Sequence, residues 1–272
     1  MRKYTALIMD LKESRKYSPE NRNKIQTYIL KVADILNTAF KGSLEKEVSF
    51  SAGDELQGLF GRVEAAYLYF RLFSMLVSPV EIRAGIGVGE WDVVIKKAPS
   101  TAQDGSAYHN ARKAINATKE SLGYSVLLYS GSKNDLIANS LFNSTAIIIG
   151  KQSEYQNKVM LLSELLYPIN AYGIINVNKL RQAVNLVAQN GKTADNNLLY
   201  VDTFENKSKD ITEVDDNFFV TEGRVRGLPM QLAEIMGVTR QSVDKTIKTA
   251  NIYEARNLAV ATLKYLKQLG EV

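Results

Sequence analysis

The chain has 272 residues, of which 45% are hydrophobic and 23% charged, with a formal net charge of +5. This is the balance of a globular protein with one large domain or two smaller ones, and the mild positive excess permits nucleic-acid or nucleotide binding without demanding it. There is no cysteine and one histidine, His109, which excludes disulfides, thiolate catalysis, zinc–thiolate sites and multi-histidine metal centres, so any metal must be held by Asp, Glu and backbone oxygens.

In chain order, residues 3–10 form a short apolar run bounded by charge, the pattern of a strand buried on both faces. The run is too short for a signal-peptide core and has no cleavage site, and no apolar stretch reaches the roughly 18 residues of a membrane span. The expectation is a cytoplasmic protein with no membrane partner. Residues 11–17 are polar and read as a loop. Ser18-Pro19 supplies an N-cap followed by proline at the first helical position. Ile25, Tyr28, Ile29, Val32, Ile35, Leu36 and Phe40 then follow at helical spacing. From Val48 to Phe60, two alternating runs flank Gly53-Asp54-Glu55, which predicts a β-hairpin with carboxylates at its tip.

A largely buried helix is expected over 62–77, broken by Pro79. Residues 81–90 alternate, with Ile82, Ala84, Ile86 and Val88 on one face. The glycines of that strand, Gly85, Gly87 and Gly89, predict close approach of another backbone or a ligand. Residues 91–104 read as a polar connection carrying Trp91, with a short strand at 93–95. Asp104-Gly105-Ser106 starts a third helix, in which Ala107, Ala111, Ala114 and Ile115 make a narrow face of small residues. Strands are expected at 124–129 and 145–149, with a short helix over 133–140 between them. The order fits an α+β sheet with helices packed on one face.

Beyond Gly150 the texture becomes helical over 153–167 and 177–190. Residues 191–223, rich in Asn, Asp, Lys and Thr, read as an exposed, partly disordered connection with a short strand at 198–204. The last fifty or so residues are helical again. The expected division is a first domain over 1–150, a helical connector with a polar loop over 151–223, and an all-α module over 224–272.

In a split βαβ layout the first strand lies antiparallel to the second strand of the hairpin. That brings Asp10 to the hairpin tip beside Asp54. Two carboxylates there would share one or two Mg²⁺ or Mn²⁺ ions, with nucleotide phosphates completing the coordination. Glu55 is either a third ligand or points away across the hairpin.

Three segments carry a family resemblance: Tyr4-Thr-Ala-Leu-Ile-Met-Asp10, Ala52-Gly-Asp-Glu-Leu-Gln-Gly-Leu-Phe60 and Ile82-Arg-Ala-Gly-Ile-Gly-Val-Gly-Glu90. They resemble the core motifs of class III nucleotidyl cyclases and of the related GGDEF domains, which have a palm-type, ferredoxin-like sheet shared with polymerases. The likeness covers the first 150 residues or so, and the whole chain resembles the SatD family of bacterial proteins. It implies Asp10 and Asp54 as metal ligands, Gly53 and Arg112 as nucleotide contacts, and Arg112 as the group that stabilises transition-state charge. The sequence departs from the cyclases at Phe50, where they carry a base-reading lysine. It departs again at Tyr108, where an asparagine would precede Arg112 by one helical turn, although Asn110 is nearby. Ala52 stands where GGDEF domains have their first glycine. Metal and phosphate binding are therefore better supported than cyclisation.

Leu228 to Ala250 has a helix-turn-helix form. A first helix over 231–236 contains the small Ala233, Gly237 permits the turn, and Val238 caps the core. Thr239 begins the second helix, with Val243 and Ile247 facing inward. Thr239, Arg240, Gln241, Ser242, Lys245 and Lys248 are the candidate DNA-binding residues, with side chains suited to base edges and phosphates. A long helix over 253–269 presents Ala259, Leu263, Leu266 and Leu269 for packing or dimerisation. The rival reading of the module is a protein-interaction or dimerisation unit.

Taken together, the sequence predicts a homodimeric DNA-binding regulator whose first domain binds Mg²⁺ or Mn²⁺ with a nucleotide or nucleotide-like ligand. One alternative is a metal-dependent cyclase, oligonucleotide synthase or nucleotide hydrolase. A second is a regulator whose first domain only dimerises.

Overall fold

The computed structural model describes residues 2–51, 53–120, 123–191, 209–211 and 218–270. In chain order its elements are β1 (Tyr4–Leu11), α1 (Pro19–Ala39), β2 (Leu44–Phe50), β3 (Glu55–Phe60), α2 (Val63–Leu76), β4 (Ile82–Gly89), α3 (Ser106–Glu120) and β5 (Val126–Tyr129). They continue as α4 (Asp135–Gly150), α5 (Glu154–Leu166), β6 (Ile169–Ala171), α6 (Arg181–Gly191), β7 (Lys209–Ile211), α7 (Leu228–Met236), α8 (Arg240–Thr249) and α9 (Ile252–Gly270).

The first five strands form one mixed sheet in the order β2-β3-β1-β4-β5. β1 is antiparallel to both β3 and β4, and β5 adds in parallel to β4. Without β5 this is the split βαβ, ferredoxin-like arrangement, with the apolar β1 at its centre. Ser18 caps α1 by accepting from the Asn21 amide, with Pro19 at the first helical position.

The expectation of helices on one face is corrected. Leu7, Met9 and Leu11 of β1 join the large core built with α1 and α2, whereas Ala6 and Ile8 pack with Leu59, Ala107, Tyr108, Ala111 and Ile115. Helix α3 therefore covers the opposite face. The glycines of β4 are the reason: a Cβ on Gly85 or Gly87 would overlap the backbone of Ala111, and one on Gly89 would meet Ser106 and Ala107. Only a glycine stripe admits a helix backbone this close.

The strand expected at 145–149 is also corrected, because those residues lie inside α4. Its β-branched composition favours a strand, but Ala138, Phe142 and Thr145 are buried at helical spacing while Ile147 is exposed, so the 3.6-residue period prevails. The strand expected at 93–95 is an isolated bridge between Val93 and Asp104. The strand expected at 198–204, and most of the polar connection around it, lies outside the described residues; Lys209–Ile211 pairs in parallel with β6.

Helix α7 starts at Leu228, three residues before the expected point, and ends at Gly237 in the left-handed conformation with φ 62°. Thr239 caps α8 by accepting from the Ser242 amide. Helix α9 packs against α2 and α4. A buried ion triad ties these parts together: Glu164 Oε1 on α5 accepts from Arg71 Nη2 of α2 at 2.7 Å and lies 3.0 Å from Arg256 Nη1 of α9. Burial pushes the Glu164 carboxyl up, but the two guanidinium groups outweigh it and hold the pKa below the ordinary value. Among the described residues, no helix is long and apolar enough to cross a membrane.

Candidate functional site

Three charged residues stand in a row where β3, β1 and β4 lie side by side. Asp10 is the register partner of Glu55 on one side and of Arg83 on the other. Cross-strand partners project to the same face, and β1 alternates so that Asp10 follows Ala6 and Ile8 onto the α3 face. The glycine stripe seats α3 against this face. Arg112 and Lys119, seven residues apart and so on one side of the helix, are thereby delivered to the row.

The contacts within the row differ in tightness. Arg112 holds Glu55 as a fork, Nη1 to Oε2 at 2.5 Å and Nη2 to Oε1 at 2.7 Å, and Ser51 Oγ donates to Glu55 Oε1 at 2.9 Å. Burial pushes the Glu55 carboxyl up, but the hydrogen bonds from Arg112 and Ser51, with the charges of Arg112 and Lys119, hold it below the usual carboxylate value. Asp10 is held more loosely. Its Oδ2 lies 3.4 Å from Lys119 Nζ and 3.7 Å from Arg83 Nη2, although the side chain is only 13% exposed. Arg83 Nε is buried and has no hydrogen-bond partner.

Asp54 sits in the turn between β2 and β3, half-buried. Gly53 beside it has φ 66° with open space where a Cβ would be, so backbone conformation rather than crowding calls for glycine. Its carbonyl accepts from Gln26 Nε2 of α1 at 3.3 Å. Phe50 pairs in register with Leu56 and packs toward the α1–α2 core, on the face opposite the charged row. Tyr108 is buried; its hydroxyl lies 3.1 Å from Ser100 Oγ, and burial pushes the phenol up to about 12. Asn110 Nδ2 donates to the Val88 carbonyl at 2.7 Å. Neither position supplies a free polar group beside Arg112. His109 is exposed, 3.2 Å from Asp104, and Trp91 packs edge-on against Tyr4.

The residues of α8 divide cleanly. Thr239, Arg240, Gln241, Ser242, Lys245 and Lys248 are exposed, whereas Val243, Thr246 and Ile247 are buried. The Thr239 hydroxyl is engaged as the helix cap, and Arg240 Nε lies 3.4 Å from Asp244.

Arg83 in the row and Lys119 beside it were not candidates on sequence grounds. Arg83 reads as a structural strand residue, and Lys119 carries no signal of its own in the sequence. Their signals are relational: Arg83 shares the alternation phase of the glycines, and Lys119 shares a helix face with Arg112.

A divalent cation suits part of this set. Mg²⁺ is usually held by one or two carboxylates, with phosphates and water filling its octahedron. Asp10 is held by ion pairs rather than close hydrogen bonds, and Asp54 stands on the adjacent turn, whereas both Glu55 oxygens are engaged by Arg112. Among the described residues there is no cluster of three acidic or histidine side chains, so phosphate oxygens would have to complete the shell. The orphaned Arg83 Nε is a donor suited to such an oxygen.

A family model, that of the SatD family, matches residues 4–189. No curated protein sequence matches the chain. Among solved structures, a bacterial light-regulated adenylyl cyclase is 14% identical, with a TM-score of 0.34 over 48% of this chain and 78% of that one. A second structure of a bacterial light-regulated adenylyl cyclase is 12% identical, with a TM-score of 0.31 over 46% and 42%. The catalytic core of a rhodopsin-guanylyl cyclase with converted specificity, in complex with ATPαS, is 15% identical, with a TM-score of 0.29 over 42% and 72%.

Proposed function

The chain belongs to the SatD family, and from that premise we propose that its five-stranded sheet binds a divalent cation together with a nucleotide-like polyphosphate at the row of Glu55, Asp10 and Arg83. The observation that carries this reading is the charged row itself, closed by Arg112 and Lys119, with one buried arginine donor left unpartnered. Asp10 and Asp54 would hold Mg²⁺ or Mn²⁺, which would supply positive charge to offset that of the phosphates. Arg83 and Lys119 would take phosphate oxygens directly. Glu55 positions Arg112, and the Gly53 backbone lets the hairpin tip approach the phosphates.

The reading is binding rather than cyclisation. Phe50 offers no base-reading group, and Tyr108 and Asn110 are committed elsewhere. Titration calorimetry with Mg²⁺ and each nucleoside triphosphate tests it. The wild type is expected to bind at least one of them, and Asp54→Asn at least tenfold more weakly. No binding to any of the four overturns it.

A second reading concerns α7 and α8, which we take as a DNA-contacting helix-turn-helix. It is supported by the exposed face of Arg240, Gln241, Ser242, Lys245 and Lys248 over a buried Val243 and Ile247. Because α9 packs on α2 and α4, a ligand at the sheet has a packed route to bias this unit. Fluorescence anisotropy of a labelled duplex should show binding that falls with salt, and the joint change Lys245→Glu, Lys248→Glu should flatten that dependence. Salt-independent binding, or none, would contradict it.

A further inference from the structure

At the end of β1 remote from the charged row, the chain between β4 and α3 carries three aliphatic side chains into solvent. Val93, Val94 and Ile95 are consecutive and 45%, 50% and 48% exposed. Tyr4 pairs with Gly89 and Asp10 with Arg83, which sets this loop and the row at opposite ends of the strand. A run of three exposed apolar residues is a fault in a water-facing surface unless it has a use.

The loop is held from beneath. Lys46 of β2, only 9% exposed, directs its ammonium at the carbonyls of Ile95, Lys96 and Ala98 at 2.9, 2.8 and 2.9 Å. The buried Gln103 amide takes Ile95 on both sides, accepting from its N–H at 2.9 Å and donating to its carbonyl at 2.9 Å. Trp91 Nε1 donates to the Val93 carbonyl at 2.9 Å, and the Val93 amide donates to the Asp104 carbonyl at 3.0 Å. An ammonium is costly to bury, and here one is committed to fixing a loop whose aliphatic side chains face water. The backbone groups of Val93 and Ile95 are satisfied inside the protein before they meet any partner.

These properties suit lipid. Backbone that enters an apolar phase must be satisfied internally, and aliphatic side chains beside lysines favour the boundary between hydrocarbon and anionic headgroups. The Ala98 amide closes a turn onto the Ile95 carbonyl at 3.1 Å, with Lys96 and Lys97 at its corner. Both lysines are exposed, and neither forms an ion pair among the described residues. They outnumber Asp92, the one acid between residues 91 and 99, and Lys3 is exposed at the same end of the sheet.

We propose that Val93, Val94 and Ile95 enter the headgroup boundary of an anionic bilayer while Lys96 and Lys97 pair with lipid phosphates. The contact is peripheral, since among the described residues no helix is long and apolar enough to cross a membrane. Nothing in it depends on the nucleotide reading, and the charged row, at the far end of β1, stays clear of the bilayer.

Cosedimentation of the full chain with vesicles of phosphatidylglycerol and phosphatidylcholine in equal parts, and with phosphatidylcholine alone, tests it. Binding to the anionic vesicles is expected to be at least tenfold tighter. The joint change Val94→Glu, Ile95→Glu should weaken it at least tenfold, and Lys96→Ala, Lys97→Ala should bring it down to the level of phosphatidylcholine. All four positions are exposed, so both variants should keep the wild-type melting transition; should one lose it, the other decides. The chain has no cysteine, so an environment-sensitive dye on Val94→Cys reports the same contact. Its emission should shift to the blue with anionic vesicles, whereas the same dye on Ser140→Cys, exposed on α4, should not move. Absence of binding to anionic vesicles, equal binding to both kinds, full binding by either folded double variant, or an unmoved dye at position 94 overturns the proposal. A wild-type dimer that binds no vesicles and falls to monomers in Val94→Glu, Ile95→Glu would assign the loop to a contact between copies, and also overturns it.

Discussion

On one face of the sheet, β1 buries Leu7, Met9 and Leu11 among Phe40, Phe60, Tyr69 and Phe73; on the other, Ala6 and Ile8 meet Ala107 and Ala111 across a stripe of glycines. The first face is built from large side chains, and burial there supplies most of the hydrophobic stabilisation. The second is built from small ones, so a helix backbone lies close to the strands and its longer residues reach past them. Arg112 and Lys119 arrive at Asp10 and Glu55 for that reason. Large apolar packing and the charged row are thus sorted to opposite sides of one sheet.

That division can be broken first from the large-residue side. Glu164→Gln would leave Arg71 and Arg256 buried without their shared carboxylate, at a cost of about 3–5 kcal/mol. Urea unfolding should show the loss, while Mg²⁺–nucleotide affinity of the folded fraction stays near that of the wild type. Gly87→Ala strikes the other side. Its Cβ overlaps the Ala111 backbone, so α3 must lift, at about 2–3 kcal/mol. Here stability and nucleotide affinity should fall together, because the helix that carries Arg112 and Lys119 moves.

The smallest effect is a pH dependence. The Glu55 pKa is depressed in the folded state, so its contribution is fully present above the unfolded value near 4.5 and fades as pH falls through the lower folded value. Melting temperature measured from about pH 5 to about pH 3 should therefore fall slightly more steeply in the wild type than in Glu55→Gln. The half-exposed position of the pair keeps the difference small.

Much of the first face was legible because its signals are local. Ser18-Pro19 with the period of Ile25 to Phe40 marks α1, and the alternation around Gly53-Asp54 marks the hairpin. The second face was written in two halves that sequence order does not join. The β4 glycines announced a close backbone, and Ala107, Ala111 and Ala114 announced a helix able to make that approach. The apolar run of β1, filled on both faces, already required a cover on each. Residues 145–149 misled because Ile and Thr favour strands, and burial at Ala138, Phe142 and Thr145 shows its helical period only against α4's neighbours. Arg83 and Lys119 were invisible for a different reason: an arginine in a strand and a lysine in a helix are ordinary until register sets both beside Asp10.

On the proposed reading, this face would hold a divalent cation only together with phosphate, through Asp10. Electron paramagnetic resonance of free Mn²⁺, titrated with protein in the presence and absence of nucleoside triphosphate, measures it directly. Wild-type protein with nucleotide is expected to quench the free-ion signal beyond nucleotide alone, protein without nucleotide to quench little, and Asp10→Asn to abolish the excess. An Asp10→Asn protein that quenches as strongly as the wild type, or a wild type that adds nothing to any nucleotide, would contradict it.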